Sequence, residues 1–162
     1  MPSRPNALAR LYARPGFLLR RAHQLSSGIF ESECEGIGVT PAQYSVLSAL
    51  HVHPGQDQSA LARALGFDKV TMLRVLHAME RRGLVSRERA ATDRRSVSLA
   101  LTAEGLALFD AAQRPVDRAY KRLMQPLSEA QQRQLLKLLE TLTTGLEAQA
   151  RAPLLRAAST SG

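Results

Sequence analysis

At 162 residues the chain can form one core with a helical extension, and is too short for two large domains. Its net charge of +8, from 22 Lys and Arg against 14 acids, points to a polyanionic partner, because each phosphate neutralised by a cation releases condensed counterions. A single cysteine excludes any intrachain disulfide, and charges interrupt every apolar stretch before it could cross a membrane, so a cytoplasmic setting without membrane contact or signal peptide is expected.

The first dozen residues carry no sustained pattern and are expected to fray, as is the tail from Arg151. From Phe17 to Glu35 a stripe of Leu18, Ala22, Leu25 and Ile29 predicts a helix, stopped by Gly36 and Gly38. Thr40-Pro41-Ala42-Gln43 reads as a capping box with proline in the first turn, opening a helix that ends near His53-Pro54-Gly55. Asp57 caps a short helix from Gln58 to Leu65, and Gly66 closes it. Asp68 caps a further helix from Lys69 to Arg82, ended by Gly83.

After Gly83 the period changes. Leu84 to Arg89 carries β-compatible residues, and Ser96 to Leu101 alternates with Val97, Leu99 and Leu101 on one face. The polar stretch between them predicts a two-stranded hairpin with a charged tip. Two long helices follow. The first carries Leu106, Phe109, Val116 and Tyr120, with Pro115 expected to bend or interrupt it. The second opens on the capping box Ser128-Glu129-Ala130-Gln131 and carries Leu135, Leu138, Leu139, Leu142 and Leu146.

The segment from Asp57 to Leu101 carries the chemistry: short helix, tight turn, second helix, charged hairpin. In a helix-turn-helix the N-terminal end of the second helix enters the major groove while the first helix braces it. Leu61, Leu65, Val70, Leu73, Leu76 and Leu84 are expected to close a small core around the turn. That leaves Asp68, Lys69, Thr71 and Arg74 to reach base edges or phosphates, with Gln58 and Ser59 of the first helix beside them. Between Arg63 and Arg95 lie nine cations (Arg63, Lys69, Arg74, Arg81, Arg82, Arg87, Arg89, Arg94, Arg95) and four acids (Asp68, Glu80, Glu88, Asp93), so more than half of the net charge sits here. A solvated charged face is the plainer reading for Arg81 and Arg82. At the hairpin, Arg87 and the tip Asp93-Arg94-Arg95 offer an acid that steadies one arginine while another projects toward a narrow minor groove.

The run Gln58-Ser-Ala-Leu-Ala-Arg-Ala-Leu-Gly66, the stretch Met79-Glu-Arg-Arg-Gly-Leu-Val85, and Asp93-Arg-Arg-Ser-Val-Ser-Leu-Ala-Leu-Thr-Ala-Glu-Gly105 resemble the MarR family of bacterial regulators. The resemblance implies a mainly α fold with a small two-stranded β-wing, a winged helix-turn-helix, and a helical dimerisation region from the N- and C-terminal helices. It also implies a homodimer on a palindromic double-stranded operator, with Thr71 and Arg74 as recognition-helix contacts and Arg94 in the minor groove. Where many relatives have Ser-Thr-Val-Thr-Arg, this chain has Val70-Thr-Met-Leu-Arg74, which replaces two polar residues by Val70 and Leu73. The expected organisation is an arm over 1–14, N-terminal helices over 15–56, the DNA-reading lobe over 57–102, dimerisation helices over 103–150 and a tail over 151–162.

The resemblance further implies repression relieved by small aromatic carboxylates or phenols bound between the dimer helices and the winged lobe. The segment Arg14 to His23 resembles relatives that control aromatic-acid and nicotinate-type catabolism. Candidates to hold a carboxylate are Arg20, Arg21 and His23 on the first helix and Tyr44 and His51 on the next. Interface ion pairs and ordinary surface groups are the plainer reading of the same residues. Cys34 sits between Glu33 and Glu35, both of which raise a thiol pKa, so a thiol-based redox switch is disfavoured. No phosphate loop, nucleophile elbow or metal-ligand spacing points to an enzyme; His51-Val-His53 lacks further ligands nearby, and no cofactor is expected. The remaining rival is an architectural DNA-binding protein that tolerates any sequence. Single-stranded RNA binding would call for exposed aromatics in the lobe, which offers Phe67 alone.

Overall fold

A computed structural model describes residues 7–89 and 97–155. In chain order the elements are α1 (Ala7–Tyr12), α2 (Pro15–Cys34), a 3-10 turn (Glu35–Ile37), α3 (Pro41–Val52), α4 (Gln58–Leu65), α5 (Lys69–Arg81), β1 (Val85–Arg89), β2 (Val97–Leu101), α6 (Ala103–Met124) and α7 (Glu129–Leu146), with a last 3-10 turn over Glu147–Gln149. The mainly helical fold with one two-stranded sheet is the one expected.

Each helix from α3 onward starts where the sequence places a side-chain oxygen that accepts from the third backbone N–H along. Gln43 N donates to Thr40 Oγ1 at 3.2 Å and Thr40 N to Gln43 Oε1 at 3.2 Å, which closes the capping box. Asp57 and Asp68 receive Ala60 N and Thr71 N, each at 2.8 Å. Ser128 and Gln131 form the second box. Gly66 ends α4 in the left-handed region at φ 64°, the conformation that lets α5 turn away from α4.

The core lies under α3, α4, α5 and the sheet. Val46, Leu47, Leu50, Leu61, Met72, Leu76, Met79 and Leu99 are fully buried, and α6 closes the cluster with Ala112, Val116 and Ala119. The strands are antiparallel with Val85 opposite Leu101 and Arg89 opposite Val97. A short third edge comes from the loop before α4: Gly55 N donates to Leu99 O and Leu99 N to Gln56 O, which ties the sheet to the start of the lobe.

The Leu-Thr-x-x-Gly stretch at 101–105 has a clear physical role. Thr102 Oγ1 donates to Gly83 O at 2.6 Å and accepts from Gly105 N at 3.0 Å, so one hydroxyl joins the end of the hairpin to the start of α6. A Cβ on residue 105 would lie 2.1 Å from the carbonyl oxygen of Leu84, so only glycine allows this approach.

Four sequence expectations change. Residues 7–12 form a helix, with the Tyr12 and Phe17 rings 5.2 Å apart across the turn into α2. Pro115 does not interrupt its helix: α6 runs unbroken from Ala103 to Met124. The start of the tail is attached, since Leu155 N donates to Arg63 O at 2.8 Å and Leu154 packs over Gly66. Finally, Val70 and Leu73 are not core residues. They are 76% and 39% exposed; Met72, Val75 and Met79 join the expected Leu76 on the buried face instead. The reason is angular: three residues along a helix is about 300°, so 72, 75, 76 and 79 share one face while 70, 73, 74 and 77 share the other.

Candidate nucleic-acid interface

The outward face of α5 is the surface on which the sequence-predicted contacts converge. Val70, Leu73, Arg74, His77 and Arg81 line one shallow groove along it. Gln58, Ser59 and Lys69 come together with Arg63 in a second cleft between the starts of α4 and α5. Lys69 and Arg74 are exposed and form no hydrogen bond or ion pair with other described residues, and the Arg74 charge acts on Asp68 only as the least of the influences on that carboxyl. His77 is absent from the residues the sequence points to, and Arg63 enters there only as one of nine cations. The signal for His77 was present, since it stands one i,i+7 step from Val70 on the same helical face.

Asp68 and Thr71 have a local task. Asp68 accepts Thr71 N on one carboxylate oxygen and the Thr71 hydroxyl on the other, both at 2.8 Å. These bonds, led by the backbone N–H of Thr71, hold the Asp68 carboxyl below the usual carboxylate range. The Thr71 hydroxyl has thus committed its proton to the cap, and only its lone pairs remain for another group.

The arginines divide into two kinds. Arg87 is turned onto Glu80 and reaches Gln58 Oε1 at 3.4 Å, so it braces β1 against α5 and α4. Arg82 donates to Gly38 O at 2.7 Å and to Gln43 Oε1 at 3.2 Å, which fastens the end of α5 to the capping box of α3. The solvated role expected for Arg82 is therefore replaced by a long-range brace, which no local pattern announces. Asp93, Arg94 and Arg95 lie outside the described residues.

A second grouping lies where α2, α3 and α6 meet. Tyr44 stacks on Phe109 with centroids 6.1 Å apart, and His51 stacks on the same ring at 4.3 Å. The Tyr44 hydroxyl donates to Gln113 Oε1 at 3.4 Å, and Phe30 touches both Tyr44 and Tyr120. Burial raises the Tyr120 phenol above its ordinary pKa. Tyr44 and His51 are thus brought together on the Phe109 ring, which the α6 stripe names, while Gln113, which holds Tyr44, is a partner the stripe passes over. Arg20, Arg21 and His23 stand apart on the exposed first half of α2, where Arg20 donates to Gln24 and covers the Phe17 ring at 5.1 Å.

Cys34 is buried, and burial, ahead of Glu33, pushes its thiol up, with Arg118 acting the other way. Glu33 is itself paired with Arg118 at 3.0 Å and Arg122 at 3.4 Å, which ties α2 to α6. No described helix is long and apolar enough to cross a membrane, and no metal-holding cluster of His, Cys, Asp and Glu occurs among the described residues.

The chain's last helix contrasts with the lobe. No residue of α7 is buried, and Leu135, Leu136, Leu138, Leu142 and Leu146 are all exposed. Leu18, Leu19 and Leu25 on α2 and Leu8, Leu11 and Tyr12 on α1 are exposed as well.

Comparisons with known proteins agree with this architecture. The MarR family profile matches residues 37–96, which run from the turn before α3 to the hairpin. A putative transcriptional regulatory protein for the hcr operon of Thauera aromatica is 33% identical over 132 residues, covering 78% of this chain and 77% of that protein. The transcriptional repressor NicR of Pseudomonas putida is 34% identical over 96 residues, covering 59% and 61%. Among solved structures, the transcriptional repressor CouR bound to a 23-mer DNA duplex superposes with a TM-score of 0.78 at 34% identity, covering 84% of this chain and 96% of that one. The same repressor bound to p-coumaroyl-CoA gives 0.77 at 33% identity, covering 83% and 94%. With its helix-turn-helix, its hairpin and a relative of this identity matched over three-quarters of both chains, the protein belongs to the MarR family of transcriptional regulators.

Proposed function

We propose that the protein is a homodimeric repressor that binds a palindromic operator and is released from it by a small aromatic carboxylate or phenolic effector. The observation that carries the DNA half is the α5 face, where Lys69 and Arg74 stand unpaired among described residues beside Val70, Leu73 and His77. Arg74 has the reach and the fork to address guanine, Lys69 and Arg63 suit phosphates, and Gln58 and Ser59 support the backbone contact. Arg94 is assigned to the minor groove, Arg95 to the adjoining phosphates and Asp93 to steadying one of these arginines, on the strength of the family wing. Arg87 serves as the brace of that wing.

The dimer is supported by the exposed leucines of α7 and of the first half of α2, which a single chain leaves in water. The two recognition helices would then stand one turn of DNA apart, ~34 Å. The effector is placed on the aromatic group Tyr44, Phe109 and His51, with Arg20, Arg21 and His23 the cations available to a carboxylate once a second chain covers that half of α2. An effector there releases DNA only as far as it binds the DNA-incompetent state more tightly. CouR, a repressor of similar structure, is known in one structure bound to DNA and in another bound to p-coumaroyl-CoA, which favours this reading over an architectural protein.

The test is affinity for the DNA upstream of the protein's own gene against shuffled DNA of equal composition, at physiological salt. A preference of about a thousandfold is expected, with Arg94→Ala weakening it by about 1–3 kcal/mol. Aromatic acids are then screened for release on the same probe. Equal binding to both duplexes, or an Arg94→Ala variant with unchanged affinity and salt slope, overturns the reading.

A further inference from the structure

Val70 has the highest exposure among the large apolar side chains left in water, on a helix that already buries its opposite face through Met72, Val75, Leu76 and Met79. It is the second residue of α5, in the N-terminal turn, the part of a recognition helix that reaches base edges. Leu73 stands one turn further on the same face, and the two flank Arg74 and His77 in one groove. Val70 is β-branched, so its side chain is held in few rotamers before any contact is made. Neither Val nor Leu can donate or accept a hydrogen bond. Pressed on the polar edge of cytosine, guanine or adenine, each would strip water from a donor or acceptor and return nothing. The major-groove edges of the four base pairs carry one apolar group, the C5-methyl of thymine.

We infer that Val70, supported by Leu73, reads the C5-methyl of a thymine in each operator half-site, so that specificity here rests on a methyl contact in place of the hydrogen bonds that polar residues would make. The inference depends on α5 being the recognition helix, as proposed above. It gives Arg74 and Val70 different tasks: Arg74 selects by donors, Val70 by shape and by rejecting polar edges.

The experiment starts from a high-affinity duplex selected by the full-length protein from a randomised pool. Each thymine is then replaced in turn by deoxyuridine, which deletes the methyl and leaves the hydrogen-bonding edges intact, and binding is followed by fluorescence anisotropy at fixed salt. One position per half-site is expected to weaken binding about fourfold, the factor for burying one methyl group, and about fifteenfold when both half-sites are changed. Val70→Ala is expected to bind the thymine duplex more weakly and to lose the distinction between thymine and uracil at that position. Alanine is a better helix former than valine, so the variant keeps the helix. A protein that selects a strong site yet shows no uracil-sensitive position overturns the methyl reading and leaves DNA recognition intact. Persistent discrimination in both Val70→Ala and Leu73→Ala also overturns it, by assigning the methyl to another residue. A pool from which no preferred site emerges overturns the recognition-helix reading itself.

Discussion

The lobe built from α3 to β2 and the frame built from α2 and α7 use the same residues to opposite ends. In the lobe, Leu47, Leu50, Leu61, Met72, Leu76, Met79 and Leu99 leave almost no surface in water, and Leu73 on the outward face of α5 is the exposed exception among its leucines. In α7, five leucines remain at least a third exposed and none is buried. Both segments have capped N-termini and clear helical periodicity, so local folding does not separate them. The difference lies in where the partner surface is found. The lobe carries its partner within the chain, whereas the frame's apolar face stays in water in one chain and, in the homodimer proposed above, is completed by a second copy. On that proposal stability and assembly are encoded in separate regions, and substitutions can pull them apart.

The largest expected effect is on assembly. If the proposed dimer forms through α7, Leu138→Asp with Leu142→Asp should convert it to monomer in sedimentation while leaving the lobe's thermal transition in place. Operator affinity should fall about a thousandfold, toward the non-specific level, because one half-site is lost. A variant that stays dimeric would remove α7 from the interface and break the comparison at its frame side. Leu76→Ala acts on the other side. It empties a fully buried position and should cost about 2–5 kcal/mol in urea unfolding. A loss below 1 kcal/mol would mean that the lobe core collapses around the gap more readily than its packing implies.

Much of the lobe was legible because its signals are local. Capping residues at Thr40, Asp57, Asp68 and Ser128, and the stop at Gly66, act within three or four residues of themselves, and the structure shows each bond. The errors came where a face had to be assigned to a partner not adjacent in sequence. Apolar character alone puts Val70 and Leu73 inside, although the angular position they share with Arg74 and His77 sets them outside. Arg82 looked like a solvated charge, yet its hydrogen-bond partners lie 44 and 39 residues away. Pro115 carries a bending tendency that α6 absorbs without a break. The same limit applies to the aromatic group: Phe109 was readable as a core residue, but its stacking with both Tyr44 and His51 depends on how α3 crosses α6.

Arginines sharpen the comparison inside the lobe. Arg74→Ala should weaken operator binding by about 1–3 kcal/mol with no change in the thermal midpoint, since it is exposed and unpaired among described residues. Arg82→Ala should do the reverse, costing about 1 kcal/mol of stability with little direct effect on DNA, because it removes hydrogen bonds to Gly38 and Gln43. If both variants lose affinity and stability alike, the division between reading and bracing arginines is wrong.

The smallest effect separates the two regions by pH. Asp68, at the start of α5, and Glu33, which joins α2 to α6, both have carboxyls held below their ordinary range, by Thr71 and by Arg118 respectively. A carboxyl whose folded pKa is depressed contributes its stability in full above its unfolded pKa, near 4, and loses it as the pH falls through the folded value. The thermal midpoint should therefore hold from pH 7 to about 5 and decline below about 4. Asp68→Asn preserves a capping oxygen while removing the titration, so it should match the parent at pH 7 and flatten the acid limb of the lobe's unfolding. Glu33→Gln should soften the acid limb of the transition that reports α2 and α6, and leave the α5 face unaltered. A single variant that flattens both limbs equally would show that frame and lobe unfold as one unit, because the junction through α6 would then be transmitting the loss from one region to the other.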